Sequence, residues 1–286
     1  MLRSRCPPPR EIFSTDPWLV GAVRFDPDLA DQFVGQAETM FALSNGYLGI
    51  RGMAEEGMPV REPGVFLNGF YEHRPLSYGE SAYGFPKIGQ SILNCPDGTA
   101  LKLFVDDEPF LVSKAELLSF SRILDLRAGT LNRDVRWITP SGKRMRLRTV
   151  RLVSLAHRHL AAIEYELATD DFAEVVISSE LANRQPLWVE TSDPRLAEGF
   201  VGRVLHPTGT KCEGLRTLLS YKTQSSRLIL GCGMDHALAT ECRVTAENTC
   251  TDDFASVVFK GRIECGKPIR IHKYLSYHYS EATVPE

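Results

Sequence analysis

The chain has 286 residues, 43% of them hydrophobic and 24% charged, with 22 Gly and 17 Pro; this excludes a disordered chain and fits one large or two moderate globular domains. Its 33 basic and 36 acidic residues leave a formal charge of -3, so it has no general attraction for nucleic acid or an anionic membrane. No apolar run is long enough to span a bilayer, and the charged start Met1 to Arg10 has no apolar core behind it, so neither a membrane span nor a secretory signal is expected.

Residues 1–17, with their Pro7-Pro8-Pro9 run, read as a frayed tail. Pro27 opens the best helix candidate, a turn or two around Asp28 to Phe33. Gly recurs every third residue in Asn45-Gly46-Tyr47-Leu48-Gly49-Ile50-Arg51-Gly52, without the spacing or following helix of a phosphate loop; a crowded turn in a sheet is expected. The stretch from Gly69 to Gln90 mixes aromatic, Gly and polar residues without period and reads as a long loop. Its Tyr71, Tyr78, Glu80, Tyr83 and Gln90 suit either sugar contacts or an inter-domain contact.

From there on, period-two alternation and turn signals dominate. Leu101 to Val105 and Phe110 to Val112 read as a hairpin around an acidic turn. Arg144 to Val153 and His159 to Leu167 read as two arms folded near Ala156, with Arg148 facing Glu164 and Arg146 facing Glu166. On that reading the cluster Lys143, Arg144, Arg146, Arg148 and Arg151 is a self-neutralised strand surface rather than a nucleic-acid patch. Further short strands appear at Val175 to Ser178, Leu228 to Leu230 and Ile269 to Leu275. At about 5–6 residues per strand the chain holds some fifteen or more strands, and so many must pack face to face to bury their edges. An all-β antiparallel sandwich over 18–280 is the expected fold, with 281–286 beginning a connector.

Little in the sequence points directly to chemistry. The seven cysteines, Cys6, Cys95, Cys212, Cys232, Cys242, Cys250 and Cys265, form no close pairs, so free thiols in a reducing cytoplasm are expected. His157 and His159 share a strand face, but no third ligand has a defined place, and no metal is expected. The pairs Glu55-Glu56, Asp106-Asp107, Asp170-Asp171 and Asp252-Asp253 read as solvated turns, not acid–base couples. Trp18, Trp137 and Trp188 are core residues by default, or sugar platforms if exposed.

The run Glu38 to Gly52, with Asn68-Gly69-Phe70-Tyr71, Leu126 to Arg133, Arg151-Leu152-Val153-Ser154 and Ser179 to Asn183, resembles the N-terminal part of glycoside hydrolase family 65, which includes the maltose, trehalose, kojibiose and nigerose phosphorylases. The likeness runs from about Trp18 to Tyr279. It implies a β-supersandwich of the galactose mutarotase-like kind, a linker, and then a helical (α/α)6 barrel that holds the catalytic glutamate. That glutamate protonates the glycosidic oxygen while phosphate attacks the opposite face, so a single protein carboxyl group suffices. Six helix pairs need upwards of ~150 residues, and no such pattern occurs before Glu286. No catalytic residue and no cofactor is therefore expected in this chain. The resemblance implies a helical catalytic domain as partner, with α-glucoside and phosphate bound only through it, and a possible homodimer; nucleic acid and membrane are not expected. An autonomous mutarotase-like enzyme and a carbohydrate-binding module are the alternatives.

Overall fold

The computed structural model describes residues 15–22, 27–58, 60–61, 63–76, 83–184 and 202–281, with backbone only for 22 and 27–33. Among the described residues eighteen strands, numbered in chain order, form three antiparallel sheets. The largest runs β1 (Leu19–Ala22), β8 (Glu116–Asp125), β9 (Thr130–Ile138), β10 (Arg144–Val153), β11 (Leu160–Thr169), β18 (Ile269–Glu281), β15 (Leu228–Ala239), β14 (Arg216–Lys222) and β13 (His206–Glu213). The second runs β16 (Val244–Cys250), β17 (Phe254–Glu264), β12 (Phe172–Ala182), β6 (Leu101–Val105) and β7 (Glu108–Pro109). The third runs β2 (Leu43–Ser44), β3 (Leu48–Ile50), β4 (Val65–Pro75) and β5 (Ile88–Asn94).

Alternation explains why the first two sheets pack face to face. On β10, Met145, Leu147, Thr149, Arg151 and Val153 are buried, while the residues between them are half-buried or exposed. The same period buries Ile269, Ile271, Lys273, Leu275 and Tyr277 on β18, and Val257 and Phe259 of β17 are buried as well. Lys273 and Tyr277 cross the interior: the Lys273 amine donates to Ala100 O and Glu180 O, and the Tyr277 hydroxyl to Pro96 O. The expected all-β sandwich is the observed fold. The third sheet lies against β10 and adds Leu48, Ile50, Val65, Leu67 and Phe70 to the core.

Turn chemistry places most strand ends. Asp106 and Asp107 both have positive φ, 48° and 68°, which closes β6 onto β7 by the two-residue turn whose twist matches the strands. Gly46 has φ 86° at the β2–β3 turn. A Cβ on Gly52 would stand 2.6 Å from the Phe41 Cβ, so close backbone approach accounts for that glycine, as the sequence suggested.

Four expectations need correction. The helix α1 spans Pro27–Met40 rather than a turn or two; Glu38, buried at 2% exposure, interrupts the apolar stripe that would have advertised it. The supposed loop from Gly69 to Gln90 is shorter than expected: 69–75 continue β4 past a register shift at Gly69 (φ 83°), and 88–90 begin β5. The β10–β11 hairpin exists, but Arg148 faces Glu166 and Arg146 faces Ala168. Its loop closes between Ser154 and Leu160, one residue beyond the expected centre, which moves the pairing by two and keeps every side chain on its expected face. Finally, a Cys212–Cys250 disulfide joins the edge strands β13 and β16 of the two large sheets. Cys95, Cys232, Cys242 and Cys265 are free, and Cys6 lies outside the described residues; with one bridge present, thiol usage no longer argues for a reducing compartment.

The basic cluster is neutralised by other partners than those expected. Arg146 forks onto Asp134, Lys143 pairs with Asp106 at 2.6 Å, and Arg151 lies in the core. Among the described residues no helix is long and apolar enough to cross a membrane.

Candidate functional site

The residues singled out from the sequence are only partly brought together. Register places Tyr71 opposite Ile92 and His73 opposite Gln90, so these four share one face of the β4–β5 ribbon. The Tyr71 and His73 rings meet edge to face at 5.2 Å, and Gln90 Nε2 lies 3.4 Å from His73 Nε2. β5 is the sheet's edge strand, and it exposes Ile88 (64%) and Ile92 (56%) on that face. Tyr83 is fully exposed. Tyr78 and Glu80 lie outside the described residues.

Glu72 points to the other side and is buried. Its carboxylate accepts N–H bonds from Gln224 at 2.7 Å, Ser225 at 2.8 Å and Ser226 at 2.7 Å, and one from His73. The Ser226 hydroxyl donates to Tyr71 O at 2.7 Å. The β4 ribbon is thereby fastened to the β14–β15 turn, and Glu72 is structural. Glu72→Leu strands three loop N–H groups and is expected to cost about 3 kcal/mol in urea unfolding.

Glu55 and Glu56 depart most from expectation. They are not solvated but 2% exposed each. Arg133 Nη1 donates to Glu55 at 3.0 Å and to Glu56 at 2.6 Å, its Nη2 reaches the other Glu56 oxygen, and Arg151 Nη2 donates to Glu55 at 2.7 Å and to Met53 O at 3.0 Å. Arg122 adds a bond to Gly52 O at 2.6 Å. Burial opposes ionisation of Glu55, but Arg151, Arg133 and Arg122 outweigh it and hold its pKa at about 2. A general acid requires a shift in the opposite direction. This network clamps the 51–57 segment to β9 and β10; it does not transfer protons.

Of the histidines, His272 stands opposite Glu164 across β18 and β11, both partly exposed, with Nε2 3.8 Å from the carboxylate and so beyond hydrogen-bond reach. His236 Nδ1 lies 2.8 Å from Leu215 O and its Nε2 lies 2.7 Å from the Ser179 hydroxyl. Both residues are sealed inside the sandwich, so this couple cannot meet a substrate. His159 associates with Tyr277 O and His278 rather than with His157, and no cluster of three metal-ligating side chains occurs among the described residues. His159 instead packs with Tyr47 and Tyr279 around the Gly46 turn, where Asn45 Nδ2 donates to Ser154 O and Arg158 O. Trp137 is buried against Phe110, and Trp18 lies under the Arg127 guanidinium at 5.1 Å. Trp188 is outside the described residues.

Compared with known families, residues 24–286 match the profile described as "Glycosyl hydrolase family 65, N-terminal domain". The chain belongs to glycosyl hydrolase family 65. An uncharacterized glycosyl hydrolase of Mycobacterium tuberculosis is 39% identical over 94% of this chain and 34% of its own length. The α,α-trehalose phosphorylase of Thermoanaerobacter brockii is 31% identical over 95% of the chain and 35% of its own length. A solved structure provisionally assigned as a kojibiose phosphorylase, from the human microbiome, superposes on 94% of the chain and 33% of its own, with TM-score 0.78 and 21% identity; it supports the fold. The chain thus spans about a third of the length of the relatives it matches. In this family 65 domain, the signature run from Glu38 to Gly52 supplies the Gly46 turn, the Gly52 contact and the Glu38–Arg51 pair (3.6 Å). The Glu55–Arg133 and Glu55–Arg151 pairs could not be read from the sequence, since the partners stand 78 and 96 positions apart.

Proposed function

We propose that this chain is the non-catalytic N-terminal β-domain of an enzyme acting on α-glucosidic disaccharides. A helical catalytic domain would supply the proton donor, and α-glucoside and phosphate would meet only there. One observation carries this reading: the buried carboxylates Glu55, Glu56 and Glu72 are engaged in structural bonds, so none is poised as an acid, while the chain spans only about a third of its relatives' length. The uncovered face of the β4–β5 ribbon, with Ile88, Gln90 and Ile92 beside Tyr71, suits contact with that second domain. In this reading 18–280 is the domain, 281–286 opens the linker, and bracing of the catalytic domain, with support of a homodimer, is its role.

The test is phosphate-dependent release of glucose 1-phosphate from maltose, trehalose and kojibiose. The 286-residue chain is expected to release none, and a polypeptide that continues into the helical domain is expected to cleave one of the three. Release by the chain alone overturns the reading.

A further inference from the structure

The outward face of the nine-stranded sheet contains a trough of about 480 Å³ that no structural role accounts for. Register defines its layout. One row of outward side chains runs Tyr274 (β18), Asp235 (β15), Arg216 (β14); the next runs Leu160 (β11), Ser276, Gly233, Leu218. Gly233 leaves the β15 backbone bare between Ser276 and Leu218, while Gly231, two residues earlier, lies beyond the trough's lining. Tyr274 and Leu218 stay 46% and 45% exposed at the trough's sides.

The two glycines differ. A Cβ on Gly233 would sit 2.9 Å from Thr217 O, so the fold itself demands glycine there. A Cβ on Gly231 would meet nothing nearer than His278 O at 4.0 Å. Glycine within a strand weakens it, and at Gly231, just outside the trough, no packing contact requires it. The charges around the trough are already matched, Arg216 to Asp235 at 2.7 Å and Lys211 to Glu213 at 2.9 Å. The trough therefore has no net charge with which to hold an ion, but it is rich in donors and acceptors beside an exposed aromatic ring. Neutral, hydroxylated ligands with an apolar face match that combination. A protein partner fits it less well, because interface centres are depleted in Lys, Asp and Glu.

We infer that the trough binds an oligosaccharide of neutral hexoses, one ring lying over Gly233 beside Tyr274, with hydroxyls reaching Asp235, Arg216 and Ser276. It binds without cleaving, since both carboxylates of the trough are engaged, Asp235 by Arg216 and Glu213 by Lys211. The choice of α-glucans as first probes rests on the proposed function; the site itself does not.

The experiment titrates the 286-residue chain with maltotriose and, separately, with cellotriose, read by calorimetry and saturation-transfer NMR. Saturable binding of either sugar is expected, weakened about tenfold or more by Tyr274→Ala. Leu218→Glu, a change at an exposed residue of the trough, is expected to weaken it as well while leaving the melting temperature nearly unchanged. Absence of saturable binding to both sugars overturns the inference, and so does binding unchanged in both variants. A change of oligomeric state in Tyr274→Ala with no sugar effect also overturns it, in favour of a protein contact. Tyr274-dependent binding of cellotriose alone supports the trough while counting against the α-glucoside reading, so the two fail separately.

Discussion

Arg133→Leu is expected to lower the unfolding free energy by about 3–5 kcal/mol, the usual cost of leaving a buried charge without its partner. The guanidinium takes both Glu56 oxygens and one of Glu55, and all three side chains are nearly inaccessible. After the substitution Glu55 keeps Arg151, whereas Glu56 loses both of its charged hydrogen bonds. The double variant Glu56→Leu with Arg133→Leu is therefore expected to recover much of the loss, since replacing a whole buried pair by apolar groups is often close to neutral. Urea unfolding of the wild type, both single variants and the double variant yields the coupling. Equal losses in Arg133→Leu and in the double variant would show that packing, not charge, holds the segment.

How much of this was legible in the sequence follows from the range of each interaction. Strands announce themselves locally: Ile269 to Leu275 alternates, and β18 contains it. The acidic turn at Asp106-Asp107 was likewise readable, because turn geometry depends on two residues, although the strand it closes onto is Glu108–Pro109 and not Phe110 to Val112. What failed was non-local. Glu55-Glu56 looks like a hydrated turn until β9 and β10 bring Arg133 and Arg151 over it, and Glu38 hides the helix for the same reason, its interior place being set by Arg51 and the Arg61 N–H. The Cys212–Cys250 bridge follows from two sheet edges meeting, which no spacing encodes. Of the candidate site, Tyr71 and Gln90 do share a ribbon face with His73, but Gly233 of β15 drew no notice. It becomes informative only once the facing strands are known.

Stability is expected to rise by about 2–3 kcal/mol between pH 7 and pH 9 and to fall by about 3 kcal/mol between pH 6.5 and pH 4. The alkaline limb comes from Lys273, buried between the sheets. Burial, with the Arg151 charge, brings its pKa down to about 7 despite Asp97 and Glu180. Between pH 7 and 9 the unfolded lysine still carries its proton while the folded one sheds it, so the unfolded state binds more protons and stability increases with pH. Above pH 9 the sign reverses: burial raises the Cys95 and Cys232 thiols, so the unfolded chain loses protons that the folded chain keeps. The acid limb comes from His236, which burial and the Lys273 charge depress to about 4 in spite of its bond to Leu215 O. As pH falls from 6.5 the unfolded imidazole takes a proton that the folded one refuses, and stability is lost until about pH 4; Glu55, held at about 2, continues the loss from pH 4.5 downward. Lys273→Met is expected to flatten the rise between pH 7 and 9. It should also raise stability at pH 7 by about 1–4 kcal/mol, because no acid is orphaned: Glu180 keeps Lys102 at 2.8 Å and Asp97 keeps the Thr99 N–H and hydroxyl. His236→Gln is expected to remove the loss between pH 6.5 and 4 and leave the Lys273 limb in place. Chemical denaturation at a series of pH values measures both limbs, and a wild-type profile flat from pH 7 to 9 would mean that Lys273 stays charged inside the sandwich.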